Sequence, residues 1–206
     1  MESNLKQKGR KMANKGSPFE RQLCKLLSLW WTDNKSDDIF WRTSGSGARA
    51  KTRGKKGLST FGQYGDMQAT DPKGQPFIDV CNVEIKRGYS KSTFANLIDK
   101  RDISAKQIWE KFIQQAVTDN HYSKSYTWML ITKRDAKETL VFIPIHFHKR
   151  LREIGCHLQK ITPCIYIRCR TFDGSIHLLY GTTLNAFLKK VTPKHIRRIH
   201  KSLKAK

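Results

Sequence analysis

The stretch Asp79-Val80-Cys81-Asn82-Val83-Glu84-Ile85-Lys86 decides how this chain is read. Side chains alternate along a strand, so Glu84 and Lys86 share one face while Val83 and Ile85 point the other way, into a core. A carboxylate and an ammonium on a buried strand are costly unless water, a metal or a partner charge satisfies them. The alternative without chemistry is an edge-strand ion pair in which Lys86 guards the edge.

Working upstream, a short strand is expected from Asp66 to Ala69. It ends at Asp71-Pro72-Lys73-Gly74, where Asp, Pro and Gly sit as a type I turn favours them. Phe77 to Lys86 then reads as the returning strand of a hairpin, which carries Asp66 across to Glu84. Asp79 is nearer to Glu84 in sequence, but the odd-even count puts it on the opposite strand face. Two adjacent carboxylates repel, and a divalent ion relieves them. Mg2+ fits because it takes hard oxygen ligands, keeps several waters and is completed by substrate phosphate, with Mn2+ as a substitute. Phosphodiester hydrolysis then has its activated water from the metal and further positive charge from Lys86.

Further out, Ser17-Pro18-Phe19-Glu20 reads as a helix start, with Ser17 as N-cap and Glu20 closing a capping box. Phe19, Leu23, Leu26, Leu27 and Trp30 mark its buried face. Ile39 to Thr43 is a short strand, and Ser44-Gly45-Ser46-Gly47 breaks it. Between Ala48 and Gly62, Arg49, Lys51, Arg53, Lys55 and Lys56 lie among small residues and glycines, which suits a loop that tracks a phosphate backbone. Downstream, Ser104 to Gln107 offers another capping box before a helical face of Ile108, Trp109, Phe112, Ile113, Ala116 and Val117. Gln115 falls on the apolar side of that helix, where an amide needs a partner. Strands are expected at Tyr126–Thr132, Thr139–Ile145, Cys164–Cys169 and Ile176–Tyr180, the last two joined at Asp173-Gly174. A short helix over Leu184–Val191 comes last. The reading is one domain over residues 17–191, with a basic arm at 1–16 and a basic tail at 192–206.

Charge narrows the partner. Forty Lys and Arg against 17 Asp and Glu give a formal net charge of +23, beyond what solubility requires, and point to a polyanion. No apolar run is long enough to span a bilayer and no secretory signal is evident, so nucleic acid is favoured over membrane and the cytoplasm over other sites. The five cysteines, Cys24, Cys81, Cys156, Cys164 and Cys169, form no zinc-like spacing and read as free thiols. His146 and His148 are two apart with no third ligand spaced to match, so they are read as structural.

Asp66 followed by Glu84-x-Lys86 resembles the motif of the PD-(D/E)XK nuclease superfamily, in which two acids bind metal and the lysine acts at the attacking water. A helix bearing Glu20, then Arg42-Thr43-Ser44-Gly45-Ser46-Gly47, Gly65-Asp66 and Glu84-Ile85-Lys86, is similar in order to the archaeal-type Holliday junction resolvases. Gly65 stands where the superfamily's name places proline. The resemblance implies an α/β fold, a mixed central sheet flanked by helices and restriction-endonuclease-like. It also implies a homodimeric, Mg2+-dependent DNA endonuclease acting on branched DNA, with a restriction- or phage-type enzyme on ordinary duplex as the alternative. By position, Glu20, Asp66 and Glu84 would hold metal and Lys86 would complete the catalytic set. Arg42, Ser44, Ser46, Arg87 and the loop cations would contact DNA, and Gln115 would support the site from its helix. A nucleic-acid-binding protein without catalysis accounts for the charge equally well.

Overall fold

The computed structural model describes residues 16–43, 64–99 and 107–205. Residues 1–15 of the arm expected at 1–16, Ser44 and Ser46, the loop bearing Arg49, Lys51, Arg53, Lys55 and Lys56, and the capping residues Ser104 to Lys106 lie outside the described residues.

The first helix, α1 (Gly16–Trp31), starts one residue before the expected cap at Ser17. Its buried stripe is Phe19, Leu23, Leu27 and Trp31, one residue per turn of the helix, while the predicted Leu26 is 46 % exposed. Strand β1 (Phe40–Arg42) follows, and Ser28 of α1 holds its entry by accepting from the amides of Ile39 and Phe40.

The hairpin expected between Asp66 and Lys86 does not form. Strand β2 (Met67–Ala69) pairs antiparallel with β1 instead, in the register Phe40↔Ala69 and Arg42↔Met67. The turn is as expected, with the Gly74 amide bonded to the Asp71 carbonyl and Asp71 Oδ1 accepting from the Lys73 amide. Beyond it, however, Gln75–Val80 is a helix, α2, with a proline in its first turn and Phe77 and Val80 buried. Pro76 has no amide proton to lose at that position, and the i, i+3 pair Phe77 and Val80 satisfies a helical face as readily as a strand does. The strand proper, β3, is Cys81–Arg87.

Helix α3 (Ile108–Ser123) is entered through Gln107, whose amide is held by Glu110 Oε2 at 3.0 Å, so the capping carboxylate is Glu110. It connects β3 to β4 (Thr127–Lys133), which runs parallel to β3. The antiparallel strands β5 (Thr139–Pro144), β7 (Ile176–Thr183) and β6 (Cys164–Arg170) complete a five-stranded mixed sheet in the order β3-β4-β5-β7-β6. Gly174, at φ +85°, makes the tight turn between the last two. His146 and His148 fall on α4 (Ile145–Glu153), which begins where the seventh and last residue of a strand was expected.

Alternation sorts the sheet into two faces. Val83, Ile85, Met129, Ile131, Val141, Ile143 and Tyr180 enter a core shared with α1, α2, α4 and the two last helices, α5 (Leu184–Lys190) and α6 (Pro193–Lys204). Leu130, Phe142, Ile167 and Leu179 enter a second core with Trp109, Phe112, Ile113 and Ala116 of α3. The residues read as a basic tail are thus mostly helix. Ile196 and Ile199 are fully buried, because α2 offers them an apolar surface that no sequence window displays. None of the five cysteines is in a disulfide, and Cys164 alone is exposed. No helix among the described residues is long and apolar enough to cross a membrane.

Candidate active site

Strand parity holds where it matters. Cys81, Val83 and Ile85 are buried in the core with α1 and α2, while Glu84 and Lys86 project together on the other face. There the Lys86 ammonium donates to Glu84 Oε1 and lies 5.8 Å from the ring centre of Phe112 on α3.

Asp66 reaches this strand without belonging to its sheet. Its amide donates to the Val83 carbonyl at 2.8 Å, and its Oδ2 accepts from the Ile85 amide at 2.7 Å. The two bonds bracket Glu84 and fix the Asp66 carboxylate beside it. From the other side, Thr43 at the end of β1 donates its amide to the Asp66 carbonyl and its hydroxyl to the Gly65 carbonyl. The β1–β2 ribbon therefore does what the expected hairpin was to do. Gly65, at φ +73°, makes the turn, a conformation closed to proline. This explains the departure from the superfamily pattern at that position.

The electrostatics follow from burial. Glu84 is 0 % exposed and Asp66 5 %. Burial first, and then the Asp66 charge, push the Glu84 carboxyl up to about 8 against the opposing pull of Lys86. At Lys86 burial works against the charged form, but Glu84 and Asp66 outweigh it and the net direction is upward. Glu84 Oε2 is buried and has no hydrogen-bond partner among the described residues. A buried acceptor of this kind costs about 1–3 kcal/mol if nothing satisfies it. An acidic pair with one oxygen unsatisfied has the chemistry of a hard-cation site, and Mg2+ needs only one or two protein carboxylates when waters and phosphate fill the rest.

Glu20 is not in that pair. Its Oε2 accepts from Arg42 Nε at 3.0 Å. Among the described residues no group of three or more His, Cys, Asp or Glu is arranged to hold a metal. Glu20 does stand nearby, since the Cys24 thiol is raised to about 12 by burial and by the charges of Glu20 and Asp66, with Arg42 opposing. The other expected DNA contact described here, Arg87, pairs with Asp135 at 3.5 Å and stacks over Phe19.

Sequence reasoning offered Gln115 as a supporting residue and did not name Asp119. Gln115 is half-buried and makes no hydrogen bond to the acidic pair among the described residues. Asp119, one turn further along α3 and 1 % exposed, adds its charge to those that raise Glu84. The available signal was position, for Asp119 lies seven residues after Phe112 on the same helical stripe.

A family model described as "Phage putative PDDEXK endonuclease" matches residues 11–198. Comparisons with curated proteins and with solved structures return no match.

Proposed function

The chain belongs to this phage PDDEXK endonuclease family, and from that premise we propose that it is a divalent-metal-dependent enzyme that hydrolyses DNA phosphodiesters at Asp66, Glu84 and Lys86. One observation carries the proposal: Asp66 is fastened to the backbone on either side of Glu84, forcing two buried carboxylates together with Lys86 bonded to one of them. A merely structural ion pair has no need of the second acid.

Asp66 and the free oxygen of Glu84 would hold the ion, Mg2+ or Mn2+. When bound it supplies Lewis-acid polarisation of the phosphate and of the attacking water. Lys86 keeps its proton and places positive charge where the phosphate gains negative charge. Glu20 sets Arg42 beside the site, and Arg42, Arg87 and the basic loop of residues 48–62 meet the DNA backbone. Ser44 and Ser46 adjoin the scissile phosphate in this reading.

The order of Glu20, the glycine-serine segment, Asp66 and Glu84-x-Lys86 supports a homodimeric, junction-resolving enzyme, and the family description fits the alternative, a phage-type enzyme on ordinary duplex, no worse. A panel of four-way junction, flap, linear duplex and single strands at fixed salt, with Mg2+ or Mn2+, separates them. Paired symmetrical nicks in the junction alone decide for the first. Asp66→Asn, Glu84→Gln and Lys86→Ala should each abolish cleavage and keep DNA affinity. Wild type that cuts no member of the panel would refute the proposal.

A further inference from the structure

Helix α6 carries Lys194, Arg197, Arg198, Lys201 and Lys204, all exposed, and no acid. At about 100° per residue these five fall within one arc of roughly 120°, and Ile196 and Ile199, fully buried, lie on the opposite side. Lys194 and Arg198, and likewise Arg197 and Lys201, are four apart, a spacing at which like charges destabilise a helix. No acid within the helix offsets this, and the one carboxylate bonded to it among the described residues, Asp79 of α2, is held by His200 at 2.8 Å.

Two of the five cations are already ordered. Arg197 lies 4.5 Å from the Trp31 ring centre and donates to the Trp31 carbonyl, and Arg198 donates to the Ile154 carbonyl. Arg150 of α4 reaches the same helix at Ser202, and Lys189 and Lys190 of α5 are exposed just before it. Five charges over roughly 15 Å of helix face a partner that presents one negative charge per about 1.7 Å of its axis.

We infer that α6 is a second nucleic-acid surface, binding the phosphate backbone of a duplex segment other than the one held at Asp66 and Glu84. The helix packs against α2 on the sheet face opposite Glu84 and Lys86, so it lies apart from the cleavage centre. An anionic membrane fits less well, since the apolar side of α6 is spent in the core and none is left to enter lipid. The inference rests on the proposed function only for the identity of the polyanion as DNA.

Lys194→Gln with Lys201→Gln removes two cations that make no bond among the described residues, and Lys35→Gln with Lys137→Gln is the matched charge loss elsewhere. Duplex affinity of the full chain is measured over a salt series without divalent ions. The α6 pair should flatten the slope of log K against log salt by about 1.8, two phosphates' worth, with cleavage at saturating DNA unchanged and the control pair near wild type. Equal slopes for the two pairs, with cleavage intact, overturn the inference and leave the nuclease reading standing. A flattened slope in a protein that cuts nothing with Mg2+ or Mn2+ supports the inference and sinks that reading. Loss of binding to phosphatidylserine vesicles with an unchanged DNA slope assigns the helix to membrane and overturns the inference.

Discussion

Gly65 shows how one backbone angle places the carboxylate of Asp66. An added Cβ there would clash with the Asn82 side-chain oxygen and meet the Val83 carbonyl at 2.8 Å, the same carbonyl that receives the Asp66 amide. Gly65→Ala should therefore destabilise the fold by about 1–3 kcal/mol in thermal unfolding. It should also lower the cleavage rate roughly a hundredfold through misplacement of Asp66, with DNA affinity retained. Glu84 makes a pH prediction. Its folded carboxyl keeps a proton that the unfolded chain has already released, so the stability it contributes is full below the ordinary carboxylate range and is lost as the pH rises towards about 8. Without divalent ions, melting temperature should fall with pH over that window, and less steeply in Glu84→Gln. Binding of Mg2+ below that pH should release a proton, read as a dependence of calorimetric heat on the buffer's ionisation enthalpy. A heat independent of buffer would remove Glu84 from the ligand set.

At the scale of elements, the helices on one sheet face are locked by their ends. The Trp30 indole donates to the Leu188 and Val191 carbonyls and that of Trp31 to the Lys73 carbonyl, so the end of α1 fastens both the turn before α2 and the entry to α6. The last helix is therefore part of the core. Ile199→Ala should cost about 2–5 kcal/mol in denaturant unfolding, whereas Leu26→Ala, at a position predicted to be buried and found 46 % exposed, should change stability by about 0.5 kcal/mol or less. A dispensable tail would give no such contrast. The β1–β2 ribbon was readable only as two short runs. Three residues each carry too little pattern to name a pairing partner, and β2 goes to β1 because Thr43 and Asp66 bond across the gap.

The whole molecule folds against its own charge. A net +23 on 206 residues is self-repulsive, so melting temperature should rise as salt screens the repulsion, and rise further with a non-cleavable duplex at low salt. A melting temperature independent of ionic strength would show that acids such as Asp37, Asp135 and Glu153, which pair locally with Lys25, Arg87 and Arg150, already compensate the cations. Salt should thus raise the melting temperature of the free chain while lowering its affinity for duplex.

Local covalent geometry made much of this protein legible from its sequence. Alternation put Glu84 and Lys86 on one face because neighbouring strand residues have no other choice, and the helical faces of α1 and α3 followed from the same reasoning at a different period. The charge excess, too, is a property of composition. Tertiary structure alone decided that residues 75–80 form a helix, that Glu20 meets Arg42, that the charge of Asp119 bears on Glu84, and that the last residues bury Ile196 and Ile199. Each of these depends on a partner distant in sequence, and a window of neighbouring residues contains no term for it.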